Sequence, residues 1–345
     1  MREAATPLFH SANPDALRSV ISGNPDELPA SSLKVFQEKR GTLLTEKTGQ
    51  AIEYFIHIPD GVIVSEMMEL TWAPSEFPAA THLVLIVGKG AKASLVERLG
   101  EVAGCGLRVA GYSSSGSSDS HLLWTHSVEV FLEEGAELEF VSEQVADSSI
   151  TLTIKQRSQL QSNAKISWRN VTLGGKTVDH DLQSALKGVD AVSAIDWMFY
   201  AKGQETYRLD AKNSFDGRRG GGEIVMKGVA EEKGHVRASG MIEIGLGGGQ
   251  TDTYLTQDVL MLDRTAKVDA IPGLEIKTND VKASHSATVS RVTEADLFYF
   301  AARGIAEREA RRMFVEGFLG EVVGRMRSAS VRDEVLRAVE GKYRQ

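Results

Sequence analysis

The chain has 345 residues, enough to bury a substantial core as one elongated domain or two modest ones. Its 39 basic and 47 acidic residues give a formal charge of −8 with no dense Lys/Arg run, which argues against a nucleic-acid partner. One cysteine, Cys105, excludes an internal disulfide and every metal motif built on paired cysteines.

The opening MREAATPLFHSANPDALRSV has no apolar run, and the longest aliphatic stretch, Leu83 to Val87, is far too short to span a bilayer. The expectation is a cytoplasmic protein without membrane contact. Residues 1–60 read as an N-terminal helical region. Asn13-Pro14 supplies a cap followed by proline at the first helical position, with Leu17, Val20 and Ile21 on one side, and SSLKVFQEKR reads as a second short helix.

Residues 61–292 read as the core. From about Thr81 onward, strict apolar–polar alternation recurs in short bursts separated by turn residues. HSVEVFLEEGAELEF puts Val128, Val130 and Leu132 on one face and, past its turn, Leu138 and Phe140; HVRASGMIEI does the same with Val236, Ala238, Ile242 and Ile244. TLTIK, AKISW and EIVMKGV add similar pieces. A degenerate repeat follows the turns: GKGAKAS, EEGAELE, QSNAKIS, GVDAVSA and DRTAKVD. Ala91, Ala136, Ala164 and Ala191 are spaced by 45, 28 and 27 residues, near the range of solenoid repeats. One strand-turn-strand unit cannot bury its apolar face alone, but stacked coils share a continuous core. The pattern favours a β-helix, with a β-sandwich as the alternative.

Residues 293–345 switch to helical period. Thr293 caps, Asp296 supports the first turn, and Gly304 fits the stop. The next helix carries the stripe Ala310, Met313, Phe314, Gly317, Phe318, Val322 and Met326; its glycines Gly317, Gly320 and Gly324 suggest close approach of another backbone. Val331 to Val339 forms a short third helix.

Three motifs carry candidate chemistry. LGGKT at 173–177 approaches a phosphate loop, but Asn170 stands where the first glycine belongs and its flanks read as strand and turn; RRGGGE and GLGGGQT read as turns. Asp179-His180-Asp181 groups acid and base residues, yet in a strand the imidazole faces away from both carboxylates, and a solvated turn is the plainer reading. In NDVKASHSATV, His285 falls in the apolar set with Val281, Ala283, Ala287 and Val289. It reads either as a core histidine bonded to a backbone carbonyl, or as an imidazole on a surface that closes against another protein, with metal ligation open to it.

The run Val268 to Ile276 (VDAIPGLEI), the segment NDVKASHSATVSRV, Leu297-Phe298-Tyr299-Phe300, Arg303-Gly304-Ile305 and Glu309-Ala310 together resemble the SufB/SufD family of iron-sulfur cluster assembly proteins, on the SufD side. The resemblance implies a mainly β fold: a right-handed parallel β-helix flanked by N-terminal and C-terminal α-helical segments. It implies pairing with a SufB-like scaffold through Val281, Ala283, His285 and Ala287, and docking of a SufC-like ATPase on helices bearing Phe298, Arg303, Phe314 and Phe318. His285 matches the SufD histidine at the junction where a transient iron-sulfur cluster forms. The chain is expected to be a non-catalytic subunit binding no cofactor tightly by itself, with ATP hydrolysis in a partner. A homodimer is a further pairing, because an edge built for a relative can accept a copy.

Three positions depart from the family pattern. Ala283 and Ala211 stand where SufD relatives often carry a cysteine and a histidine, and Gln257 stands where SufB proteins carry a cysteine. Cluster irons are usually held by thiolates, so this chain is expected to offer one nitrogen and a surface rather than a whole site. The alternatives are a SufB-like homodimeric scaffold, a β-helical carbohydrate-active enzyme, and a purely structural adaptor.

Overall fold

The computed structural model describes residues 34–38, 50–74, 77–100 and 122–344. In chain order its strands are β1 (Lys34–Glu38), β2 (Gln50–Ile58), β3 (Ile63–Trp72), β4 (Ala79–Val87), β5 (Lys92–Leu99), β6 (Leu122–Leu132), β7 (Glu137–Gln144), β8 (Ile150–Leu160) and β9 (Lys165–Thr172). They continue with β10 (Thr177–Leu186), β11 (Val192–Ala201), β12 (Thr206–Phe215), β13 (Gly221–Ala230), β14 (His235–Ile244), β15 (Thr251–Met261), β16 (Lys267–Ile276) and β17 (Val281–Arg291). Three helices follow: α1 (Glu294–Ala301), α2 (Glu307–Val323) and α3 (Ala329–Arg344).

Each strand from β2 onward pairs in parallel with the strand two places along. The even strands build a nine-stranded sheet with β1 at its edge, and the odd strands from β3 build an eight-stranded one. The chain therefore winds as a two-sheet parallel β-solenoid. A sandwich would join consecutive strands in antiparallel pairs, so the pairing decides between the two architectures read from the sequence.

The recurring alanines mark one stack of turns. In each turn one residue takes positive φ, at Gly90, Gly135, Asn163, Asp190, Arg219 and Gln250, with values from 55° to 69°. Its N–H, turned along the solenoid axis, donates to the next coil: Gly90 N to Glu134 O at 2.9 Å, Gly135 N to Ser162 O at 2.9 Å, Asn163 N to Val189 O at 2.9 Å, Asp190 N to Arg218 O at 3.0 Å. Turn backbones thus satisfy one another, and the small residue that follows (Ala91, Ala136, Ala164, Ala191) is fully buried. The fifth repeat unit, DRTAKVD, belongs elsewhere: Ala266 lies between β15 and β16, on the opposite turn stack.

Inside, aligned side chains form columns along the axis. One runs Met68, Leu95, Phe140, Trp168, Ile195, Ile224, Leu255 in strict register through the odd strands. The interior also carries polar groups. Glu97 accepts from Ser142 Oγ at 2.7 Å and lies 3.1 Å from His126 Nε2, while Gln156 bonds to Glu97, Asn170 and His180, all of them buried.

The two sheets differ outside. The even strands face solvent and alternate cleanly, as in β10 and β14. The odd strands β5 to β13 are buried on both faces over their C-terminal halves, because Val96, Val141, Val171, Met198 and Val225, joined by Leu260 of β15, pack outward against Val315, Leu319, Val322, Val335 and Val339 of α2 and α3.

Several expectations are corrected. SSLKVFQEKR contains β1, antiparallel to β2, rather than a helix; the open sheet edge offers free backbone groups that this short segment pairs with. The helix expected after Asn13-Pro14, and Cys105, lie outside the described residues. The solenoid starts at β2, before residue 61. In α2 the buried stripe is Ala310, Val315, Leu319, Val322 and Val323, with Met313 exposed. A Cβ at Gly317 or Gly320 would meet nothing within 4 Å, so no backbone among the described residues approaches there.

Candidate functional site

β16 and β17 close the solenoid at its C-terminal end, and nothing among the described residues covers them. β17 pairs only with β15, and β16 only with β14, so each leaves one edge of backbone N–H and C=O groups without a ladder partner among the described residues. Their apolar residues are correspondingly open: Ile271, Ile276 and Val289 are exposed, while Val281, Ala283 and Leu274 pack partly against the core.

His285 continues the interior column, in register with Leu255. Its neighbours on the same face, Ala283 and Ala287, lie over Thr253 and Gln257. Yet His285 and Ala287 are exposed. The core-histidine reading is therefore overturned: the side chain points along the inward set, but no further coil stacks upon it. Beneath this layer, Thr253 and Gln257 are buried, and neither Thr253 Oγ1 nor Gln257 Oε1 has a hydrogen-bond partner.

The chain leaves this coil directly into α1. Thr293 caps it in a reciprocal box, its hydroxyl accepting from Asp296 N while the Asp296 carboxylate accepts from Thr293 N. The Thr293 hydroxyl, donating to the Asp296 carboxylate at 2.7 Å, and then the Thr293 N–H hold that carboxyl below its usual range. α1 buries none of its residues; Phe298 is 73% exposed and Tyr299 55%. Arg303 stacks on the Tyr299 ring at 3.6 Å. Phe314 is half-buried against Phe300, with ring centroids 5.4 Å apart, and Phe318 is half-buried beneath the Lys227 ammonium at 4.8 Å. Of the expected docking residues, Phe298 and Arg303 are presented outward, whereas Phe314 and Phe318 are largely engaged within the chain.

The Asp179-His180-Asp181 motif is a strand in β10, not a solvated turn. His180 points inward, edge-on to Trp197 at 4.4 Å, and burial holds its imidazole well below the usual value, so it stays neutral. Asp179 and Asp181 point outward to Arg208 and Arg157. The LGGKT glycines form the turn between β9 and β10, with no helix following. Among the described residues no three His, Cys, Asp or Glu side chains converge to hold a metal ion. The terminal coil carries one histidine, His285, exposed at its open end.

The interface under α3 holds charged groups that pattern reading missed. Arg98 donates to both carboxylate oxygens of Glu334 at 2.8 Å, with Glu143 3.3 Å away. Lys342 is buried, donating to Leu173 O, Glu205 and Tyr207, and burial lowers its pKa against the raising effect of Glu205. The signal was present: Lys342 continues the Val331, Val335, Val339 stripe at helical spacing.

The SUF system FeS cluster assembly, SufBD core domain, matches residues 71–318, which run from the end of β3 through the terminal coil, α1 and most of α2. The chain belongs to the SufBD family. It is 28% identical over 291 residues to a chloroplastic protein of Arabidopsis thaliana, ABCI7, covering 83% of this chain and 59% of that protein. It is 28% identical over 166 residues to the iron-sulfur cluster assembly protein SufD of Escherichia coli, covering 48% and 39%. An iron-sulfur cluster assembly SufBD family protein of Staphylococcus saprophyticus is 28% identical over 237 residues, covering 68% and 48%. The chain spans less than two thirds of the length of each of these relatives. Among the described residues of this SufBD-family chain, no helix is long and apolar enough to cross a membrane.

Proposed function

We propose that this SufBD-family chain acts as a SufD-like, non-catalytic subunit of a cytoplasmic SUF assembly complex. Its terminal coil pairs with a SufB-like scaffold, and α1 with the adjoining part of α2 docks a SufC-like ATPase. The observation that carries this reading is His285, an imidazole in an interior column that no described residue covers. A partner that adds strands to β16 and β17 would bury the exposed apolar groups and enclose the imidazole.

In this arrangement the nascent cluster is cargo. The partner's thiolates would carry most of its iron, and His285 would add one nitrogen of borderline softness beside them. The exposed aromatic residues of α1 suit a second docking contact, since aromatic rings bury large areas at little entropic cost. ATP hydrolysis in that partner would act on the coil through α1, which joins it after only two residues.

The test is co-purification of the full chain with SufB-like and SufC-like partners, wild type against His285→Ala. Stable complexes that lose iron only in the variant support the reading. Failure of the wild type to assemble with either partner would overturn it.

A further inference from the structure

A metal-binding histidine almost always donates its second ring N–H to a carbonyl or carboxylate oxygen, which fixes the tautomer and turns the other nitrogen's lone pair toward the metal. His285 makes no hydrogen bond to any described residue, but the coil beneath it contains an acceptor with no donor. Gln257 is fully buried. Its Nε2 donates to Ala238 O at 3.2 Å and lies 3.4 Å from Met226 Sδ, so the amide is oriented by β14 and its oxygen is turned elsewhere. That oxygen, Oε1, is unpartnered. Buried amide oxygens left in this state are rare.

The position of the amide is fixed by what Gly240 leaves open. A Cβ there would come within 2.5 Å of Leu255 Cδ1 and 3.2 Å of Gln257 Nε2. The glutamine amide and the leucine methyls therefore share one space across the lumen, and Leu255 is the residue on which His285 stacks. The methyl-sized Ala283 and Ala287 flank the imidazole and leave it room to tip inward.

We propose that Gln257 is the positioning residue for His285: its Oε1 accepts the ring N–H, selects one tautomer and leaves the opposite nitrogen bare at the open end of the solenoid. The purpose of the pair rests on the cluster-proximal reading of the terminal coil, but its existence does not. Covering the coil would lock an orientation that the glutamine already favours. This role is invisible to composition and motif, because glutamine two residues beyond the stacking partner carries no sequence signature of its own.

The test uses the full-length free chain with 15N-labelled histidine, read by long-range 1H–15N correlation where the ring is neutral. Wild type is expected to show one tautomer predominating at His285, Gln257→Leu a mixture of both, and Gln257→Glu the single tautomer again. Thr253→Val, which alters the other unpartnered group in the same coil, is expected to leave the spectrum unchanged. The buried His126 and His180 signals report in the same spectrum that each variant is folded; if Gln257→Leu is not, the unbranched Gln257→Met replaces it. Equal tautomer populations in wild type and the apolar variant, or a shift caused by Thr253→Val, would overturn the proposal. A biased tautomer in a chain that assembles with no SufB-like partner would leave the pair standing and remove only its assigned purpose.

Discussion

His285 stands on Leu255 in the register that joins β17 to β15, one imidazole at the end of a column of seven apolar side chains. The lower residue is fully buried and the upper one exposed. A leucine at 285 would simply extend the column. His285→Leu is therefore expected to cost the free chain only about 0.5–1.5 kcal/mol, the net worth of the one ring hydrogen bond proposed to Gln257, because the site is otherwise exposed. Urea unfolding of the isolated variant measures this. A loss of several kcal/mol would mean that the imidazole is tied into the core.

The turn ladder is sensitive to which side chain occupies its positive-φ position. Asn163 and Asp190 hold φ at 59°, where short polar side chains are tolerated and β-branched ones are strained. Asn163→Val should destabilise the chain by about 1–2 kcal/mol, whereas Asn163→Gly should be neutral or slightly stabilising. Matched denaturation curves decide it; equal costs for valine and glycine would show that the side chain, not the backbone, matters there.

Much of this architecture was legible because the even-numbered strands face water on one side. In β14 the buried residues are those that alternation selects, Val236, Ala238, Ile242 and Ile244. The central odd strands gave a blurred signal, since α2 and α3 cover their outer face and β11 is buried almost continuously. SSLKVFQEKR was misread because five residues of β1 are too few to separate a strand period from a helical one. At the site, periodicity identified the face on which His285 lies, but not its exposure. That depends on whether another coil follows, a property of where the solenoid stops rather than of the strand itself. Gln257 was legible only as a departure from a family pattern; its orphaned oxygen is a consequence of three-dimensional packing.

Gly317 lies within α2, is exposed, and has open space where a Cβ would be. Alanine should stabilise the chain by roughly 0.5–1 kcal/mol, through higher helix propensity and a less mobile unfolded state. A rise in thermal midpoint confirms this. A fall would reveal a contact on that face in the assembled molecule.

Phe298 is the most exposed aromatic residue of α1, and removing it costs the free chain little. Phe298→Glu is expected to leave the unfolding midpoint within about 0.5 kcal/mol of wild type and to weaken docking of a SufC-like ATPase by more than about 1 kcal/mol, roughly a factor of five or more. Phe318→Glu serves as the contrast. Its ring is half-buried beneath Lys227, so that variant should lose stability as well as binding. Calorimetric titration alongside melting curves separates the two; undiminished binding by Phe298→Glu would move the docking surface elsewhere.

Glu143 couples the seat of α3 to pH. It faces Arg98 on β5 and Glu69 on β3, with Glu334 approaching from α3. Burial, reinforced by the Glu334 charge and opposed by Arg98, pushes its carboxyl from the ordinary 4.5 up to about 8. Between those values the folded chain retains a proton that the unfolded chain has released. The folded state binds more protons, so stability is greatest at the acid end of this window and falls as pH rises through it, by up to about 1.4 kcal/mol per pH unit. Glu143→Gln keeps the shape and removes the titration, so its stability should vary less with pH over the same range. Urea midpoints for both proteins between about pH 5 and pH 8.5, with hydrogen exchange along α3, measure the difference. Parallel curves would show that Glu143 is ionised in its seat and that Arg98 alone offsets the three surrounding carboxylates.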